Sequence, residues 1–146
     1  MSLFVKSFDE LSVKELFEIY KLRCAVFVVE QHCVYQDIDD LDKAALHLWL
    51  EEDGQIMAYL RVMPQGVVFE EAAIGRVIAV KRRVGYGSRI LKEGIRIAKE
   101  CFGADAIRLE AQTYAKSLYE KQGFVQTSDE FLEDGIPHVQ MLLTIK

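Results

Sequence analysis

The sequence predicts an α/β domain around a mixed, mostly antiparallel sheet with helices on both faces. Three observations carry this expectation. Apolar residues alternate with period two on either side of Asp53-Gly54, the apolar run 74–80 has the length of a strand, and two stretches between strands repeat their apolar residues at helical spacing.

The elements follow in order. Residues 3–8 are a short apolar start and read as a first strand. Ser12 with Glu15 three residues on is a capping box, in which two side chains satisfy the free N–H groups of a helix start. Val13, Leu16, Phe17, Tyr20, Cys24 and Phe27 then predict one amphipathic helix that fades near Glu30. Residues 30–43 are acidic, polar and irregular. Leu46, Leu48 and Leu50 alternate with His47 and Trp49, and Ile56, Ala58, Leu60 and Val62 alternate after the Asp53-Gly54 turn, which reads as a hairpin. The nearly continuous run "IGRVIAV" at 74–80 suits a central strand covered on both faces. After Gly87 a helix presents Ile90, Leu91, Gly94, Ile95, Ala98 and Phe102 on one side. "AIRLEAQ" is a strand, "YAKSLYEKQ" a short helix closed by Gly123, and "FVQT" and "HVQMLLTI" are two last strands.

The 146 residues suit one domain, 1–146, with one core. A hydrophobic content of 51% with two prolines argues against disorder, and a net charge of −5 argues against nucleic acid as a partner. Cys24, Cys33 and Cys101 form no Cys-x-x-Cys and read as free thiols in a reducing cytoplasm. No metal-ligand spacing, signal segment or membrane-spanning stretch is apparent, so the expected location is cytoplasmic, away from membranes.

The stretch "KRRVGYGSRIL" at 81–91 places a glycine turn between a strand and a helix. A helix start offers unpaired N–H groups and the positive end of its dipole. Gly85 and Gly87 let backbone approach an anion, and Arg82 and Arg83 can add charge-assisted hydrogen bonds to phosphate. The Walker spacing is absent, and the third glycine of a dinucleotide fingerprint is replaced by Ile90. Taken alone, the turn holds either a phosphate ligand or nothing.

A second motif decides between these. Arg82-x-x-Gly85-x-Gly87 before a helix, followed some thirty residues later by Ala115-x-x-Leu118-Tyr119-Glu120-Lys121-x-Gly123-Phe124, resembles the GNAT superfamily of N-acetyltransferases. "LRCAVFVVEQHCVYQDIDDLD" at 22–42 and "EDGIPHVQM" at 133–141 resemble its ElaA-type subfamily. The resemblance implies the GNAT acyl-CoA N-acyltransferase fold, acetyl-CoA as donor and no metal. Its partners would be acetyl-CoA and an amine acceptor, with a homodimer as an allowed assembly. A non-catalytic acyl-CoA-binding module of the same fold is the alternative.

The resemblance also implies site residues. The pyrophosphate would meet the turn at Arg82, Arg83, Val84, Gly85, Tyr86, Gly87 and Ser88, and the pantetheine arm would pair with Ile78, Ala79 and Val80. Gln112 stands where the family often has asparagine, and Tyr119 where it has a general acid for the departing thiolate. A phenol with a pKa near 10 suits that task. Four residues compete as the base that deprotonates the amine: Glu30 beside the acceptor side, His47 opposite the leucines, Glu110 on one strand face with Arg108 and Gln112, and His138 after Pro137. Glu30, Asp37, Asp39, Asp40, Asp42, Glu133 and Asp134 predict an acidic acceptor side that attracts a cationic amine.

Overall fold

The computed structural model describes residues 1–81 and 84–145. The strands are β1 (Ser2–Ser7), β2 (Leu46–Glu52), β3 (Gln55–Met63), β4 (Ala72–Ala79), β5 (Ala106–Gln112), β6 (Val125–Gln126), β7 (Phe131–Glu133) and β8 (Ile136–Thr144). The helices are α1 (Val13–Arg23), α2 (Leu41–Ala44), α3 (Tyr86–Phe102) and α4 (Lys116–Glu120). One sheet runs β1-β2-β3-β4-β5-β8-β6, with β7 paired to β8. Among the described strands, β4 and β5 run parallel and all other neighbours antiparallel.

Two turns set the hairpins. Asp53 and Gly54 have φ of 52° and 76°, and Asp134 and Gly135 repeat these values between β7 and β8. Two consecutive left-handed residues match the twist of the strands they join. The second hairpin was not expected, because β7 is only three residues long.

The capping box forms as the sequence suggests: Ser12 Oγ accepts from the Glu15 N–H at 3.1 Å, and Glu15 Oε1 accepts from the Ser12 N–H at 2.8 Å. The helix does not run unbroken to Glu30. At Cys24 it changes to a π-helix, Cys24–Glu30, a winding seldom seen outside functional sites. Its expected apolar face is also corrected. Val13 is 86% and Phe17 60% exposed, while Ile19 and Arg23 are fully buried. Arg23 turns inward because two carboxylates wait there, as described below.

The sheet carries a core on each face. Leu48, Leu50, Leu60, Ile90, Leu91 and Ile107 pack beneath α3. Ile19, Trp49, Tyr59 and Ile78 pack beneath α1. Among the described residues, no helix is long and apolar enough to cross a membrane.

Gly94 lets α3 lie close to the sheet. A Cβ there would come within 2.9 Å of Leu60 Cδ2 and 3.3 Å of Ile74 Cδ1, and both side chains are buried. Gly94→Ala should therefore lower stability by about 1–3 kcal/mol, against alanine's better helix propensity. Urea denaturation measures this; a variant as stable as the parent would show that α3 can shift outward at little cost.

Candidate active site

β4 and β5 meet only at Ala72↔Ile107 and Ala73↔Arg108. Beyond these pairs β4 follows β3, β5 follows β8, and the sheet parts. A bidentate ion pair, Arg108 to Glu71 at 3.0 Å through each nitrogen, clasps the vertex. A cleft of about 470 Å³ opens in the gap. Val26, Phe27 and Gln31 of the π-helix and its end wall one side, and Glu110, Gln112 and His138 the other.

A bulge shapes the β4 edge. Tyr59 pairs with Ile78 and Arg61 with Gly75, so Leu60 faces two residues, Arg76 and Val77. Arg76 takes the bulged conformation with φ of 54°. Past it, the Val80 N–H donates to the Met57 carbonyl at 2.9 Å, so Val80 and Ile78 point to β3. Backbone groups alternate between edges, which turns those of Val77 and Ala79 into the gap. Of the residues expected to meet a pantetheine arm, Ala79 thus faces the gap, whereas Ile78 and Val80 bond within the sheet.

Tyr119 lies on α4, 7% exposed, its ring edge-on to Phe124 at 6.0 Å, and lines the cleft. Burial, with the nearby Tyr114 hydroxyl, pushes its pKa above the ordinary tyrosine value. The phenol is therefore protonated at neutral pH and is a weaker acid than a free tyrosine. On β5, Glu110 lines the same cleft with its side chain open to solvent. Desolvation and the Glu133 carboxylate raise its pKa, with His138 opposing. His138 Nδ1 lies 2.7 Å from the Ile136 carbonyl, which can only accept. Nδ1 therefore carries a proton, and Nε2 lies 3.8 Å from Glu133 Oε2. Gln112 is bonded to Gln31 through both amides, at 3.1 and 3.2 Å, across the cleft.

Two base candidates lie elsewhere. His47 is fully buried on β2 and does not line the cleft. Its Nε2–H donates to the Asp42 carbonyl at 2.9 Å and its Nδ1 accepts from the Tyr59 hydroxyl at 2.7 Å, so neither nitrogen is available. Glu30 ends the π-helix, exposed and outside the cleft lining.

The acidic acceptor side is corrected more deeply. Asp37, Asp39 and Asp42 are neutralised by three arginines that sequence reasoning missed. Arg23 pairs with Asp37 and Asp42 at 3.0 and 2.7 Å, Arg61 with Asp42 and Asp39 at 2.9 and 2.6 Å, and Arg76 with Asp39 and Asp37 at 3.4 and 2.8 Å. The pairs close a ring of alternating charge, with Tyr35 hydrogen-bonded to Asp37. Asp40 turns outward to Lys43. Of the carboxylates expected there, only Glu133 and Asp134 join Asp39 in lining the cleft.

The glycine turn fits an anionic ligand. Arg82 and Arg83 lie outside the described residues. Gly85 caps α3 at φ of 85°, and the 17-residue helix has no side-chain cap and no acid in its first turn. Its N–H groups at Tyr86, Gly87 and Ser88 are presented without competition from a carboxylate. Val84 is exposed, the Tyr86 hydroxyl donates to Glu52 at 2.9 Å, and Ser88 Oγ accepts from Gln122 at 3.0 Å. At Gly87 a Cβ would meet Leu118 at 3.5 Å and Ala79 at 3.7 Å, ordinary contacts. The fold alone would accept alanine there.

The profile of the acetyltransferase (GNAT) domain matches residues 10–145. The chain belongs to the GNAT acetyltransferase family. Its ElaA branch is represented by the Escherichia coli protein ElaA, 35% identical over 91% of this chain and 90% of ElaA. The ElaA crystal structure superposes with a TM-score of 0.89, covering 97% of each chain. A UPF0039 protein of Schizosaccharomyces pombe is 41% identical over 96% of this chain and 95% of its own. An acyl-CoA N-acyltransferase from Pseudomonas aeruginosa superposes at TM-score 0.90 with 34% identity, covering 97% of this chain and 99% of that one. The GNAT fold expected from the sequence is the one observed.

Buried charge couples stability to pH. Burial holds the His47 pKa below the ordinary imidazole value. Burial alone would raise Asp42, but its contacts with Arg23 and Arg61 hold it below the usual carboxylate range, and Arg61 and Arg76 do the same for Asp39. In every case the unfolded chain takes up its proton first, so stability is full above the unfolded pKa and falls as pH drops through it. The melting temperature should decline in two stages, below about pH 6.5 for His47 and below about pH 4 for the aspartates. His47→Gln should flatten the upper stage only; an unchanged pH slope in that variant would remove His47 as its source.

Proposed function

We propose that the protein is an acetyl-CoA-dependent N-acetyltransferase that acetylates a primary amine by direct attack. The observation that carries this reading is the cleft itself, in which a protonated phenol, Tyr119, and a carboxylate of raised pKa, Glu110, line one gap between parted strands. Acetyl-CoA supplies an acyl group activated as a thioester.

Each residue has a task in this reading. The α3 start, with Gly85 and Gly87, holds the pyrophosphate on backbone N–H groups, and Arg82 and Arg83 add charge. The Val77 and Ala79 backbone aligns the pantetheine arm, and Gln112 offers its amide. Glu110 takes the proton from the attacking amine, directly or through water, with His138 Nε2 as the second acceptor in reach of the same carboxylates. Tyr119 Oη gives its proton to the departing sulfur and recovers one from solvent. The acceptor side keeps Glu133 and Asp134 as its outer negative charge, which favours a cationic amine. Three free cysteines accord with a reducing, cytoplasmic setting.

Two variants test the chemistry. Tyr119→Phe should bind acetyl-CoA unchanged and lose on the order of 10²-fold in kcat. Glu110→Gln should lose a similar factor and also lose the acid limb of its kcat–pH profile, since a base must be deprotonated to act. Thiol release with an amine panel is the measurement. Full kcat in the phenylalanine variant, with chemistry rate-limiting, would leave Tyr119 a packing residue. A protein that gains thermal stability from acetyl-CoA but releases no thiol with any amine would be an acyl-CoA-binding module instead.

A further inference from the structure

We propose that Arg76 is a positioning residue for acyl transfer: clamped by Asp37 and Asp39, it holds the β4 bulge that aims the Val77 and Ala79 backbone into the cleft. The inference rests on the acetyl-transfer reading for its purpose, but its geometry stands apart from it.

Arg76 combines two features that oppose each other. Its φ of 54° is a conformation that a residue with a Cβ disfavours and glycine adopts freely. Glycine is the usual occupant of a left-handed bulge position, yet arginine stands here. Its side chain accounts for the exchange. Nε lies 2.8 Å from Asp37 Oδ1 as an ion pair that makes no hydrogen bond, Nη2 donates to the Asp37 carbonyl at 3.0 Å and to Asp39 Oδ2 at 3.4 Å, and the guanidinium lies over the Tyr35 ring at 5.5 Å. Asp37 and Asp39 are themselves fixed by Arg23 and Arg61. The side chain is thus tied to a framework that does not belong to β4.

The bulge decides which backbone groups face the gap. Without it the register of β4 after Gly75 would slip by one residue, and a slip of one exchanges the two edges and the two faces. Ile78 and Val80 would turn toward β5. The Ile78 side chain, 2% exposed among Ile19, Trp49 and Tyr59, would leave its core. Arg76 therefore links the buried charge ring to the strand edge where the donor would lie.

The test compares Arg76→Gly with Arg76→Ala. Both delete the guanidinium and leave Asp37 and Asp39 equally short of a partner. They differ in tolerance of positive φ. If Arg76 holds the bulge, glycine keeps it without strain while alanine relaxes it. The Ala79 amide signal in the ¹⁵N–¹H spectrum of the free protein, three residues from the substitution, should then stay close to the parent in the glycine variant and move in the alanine variant. In acetyl-CoA turnover, kcat of the alanine variant should fall below that of the glycine variant by about tenfold or more. Coenzyme A should still raise the melting temperature of both, because the glycine turn is untouched. Identical spectra and identical kcat in the two variants would overturn the proposal and reduce Arg76 to a neutraliser of carboxylates. If the single variants do not fold, the same pair on an Asp39→Asn background restores the charge balance and makes the same comparison. Spectra that behave as expected in a parent protein without thiol release would uphold the bulge and sink acetyl transfer.

Discussion

Six charges between the sheet and the segment 31–45, four of them buried and Asp39 and Arg76 half-buried at the cleft, hold this molecule's working parts in place. Arg23, Asp42, Arg61, Asp39, Arg76 and Asp37 alternate in sign around a closed ring, so each charge has two opposite neighbours. Taking charges out of water is costly, and a buried pair often contributes less than hydrophobic packing would. Removing one partner is another matter, at about 3–5 kcal/mol, because the others stay buried and uncompensated. The ring therefore acts as a specification more than as a source of stability. It joins the end of α1, the irregular segment, β3 and the β4 bulge, and it gives a loop with few apolar anchors a single position.

The cleft walls follow from that position. Because Arg23 is drawn inward, the following π-helix lies over the gap, where Val26 and Phe27 wall it. β4 departs from β5 after two residue pairs, and the Arg76 bulge follows just beyond the parting. The chemistry of the cleft is then divided between its two sides: donors on β4 and α3, and titratable side chains on β5, α4 and β8.

Local signals made much of this legible in the sequence. The Ser12–Glu15 box and the Asp53-Gly54 hairpin each rest on residues close together in the chain and form as read, and the apolar stripe of α3 forms with Ile97 buried where Ile95 and Phe102 are only half-buried. The ring was not legible, because its members are spread from 23 to 76 and meet only after folding. Asp37, Asp39 and Asp42 read as an acidic acceptor side, because the arginines that neutralise them lie elsewhere in the chain. Arg76 sat inside "IGRVIAV" as an exception in an apolar run, and no periodicity marks a bulge. His47 was a reasonable base by chemistry, but its two hydrogen bonds come from Tyr59 and the Asp42 carbonyl, contacts that a residue list does not reveal. Gly94 and Gly87 look alike in sequence, yet the first is demanded by Leu60 and the second by nothing within the chain.

The parting of β4 and β5 has a consequence for association. A strand with free backbone donors and acceptors is ordinarily a template for another chain, and proteins guard such edges with charge, proline or cover. Here two free edges face each other inside the sheet, closed at one end by the Arg108–Glu71 clasp and spanned at the other by the Gln31–Gln112 amides. Both edges lie inside the cleft, between the clasp and the paired amides, so neither is an outer strand on which the sheet of a second molecule could continue.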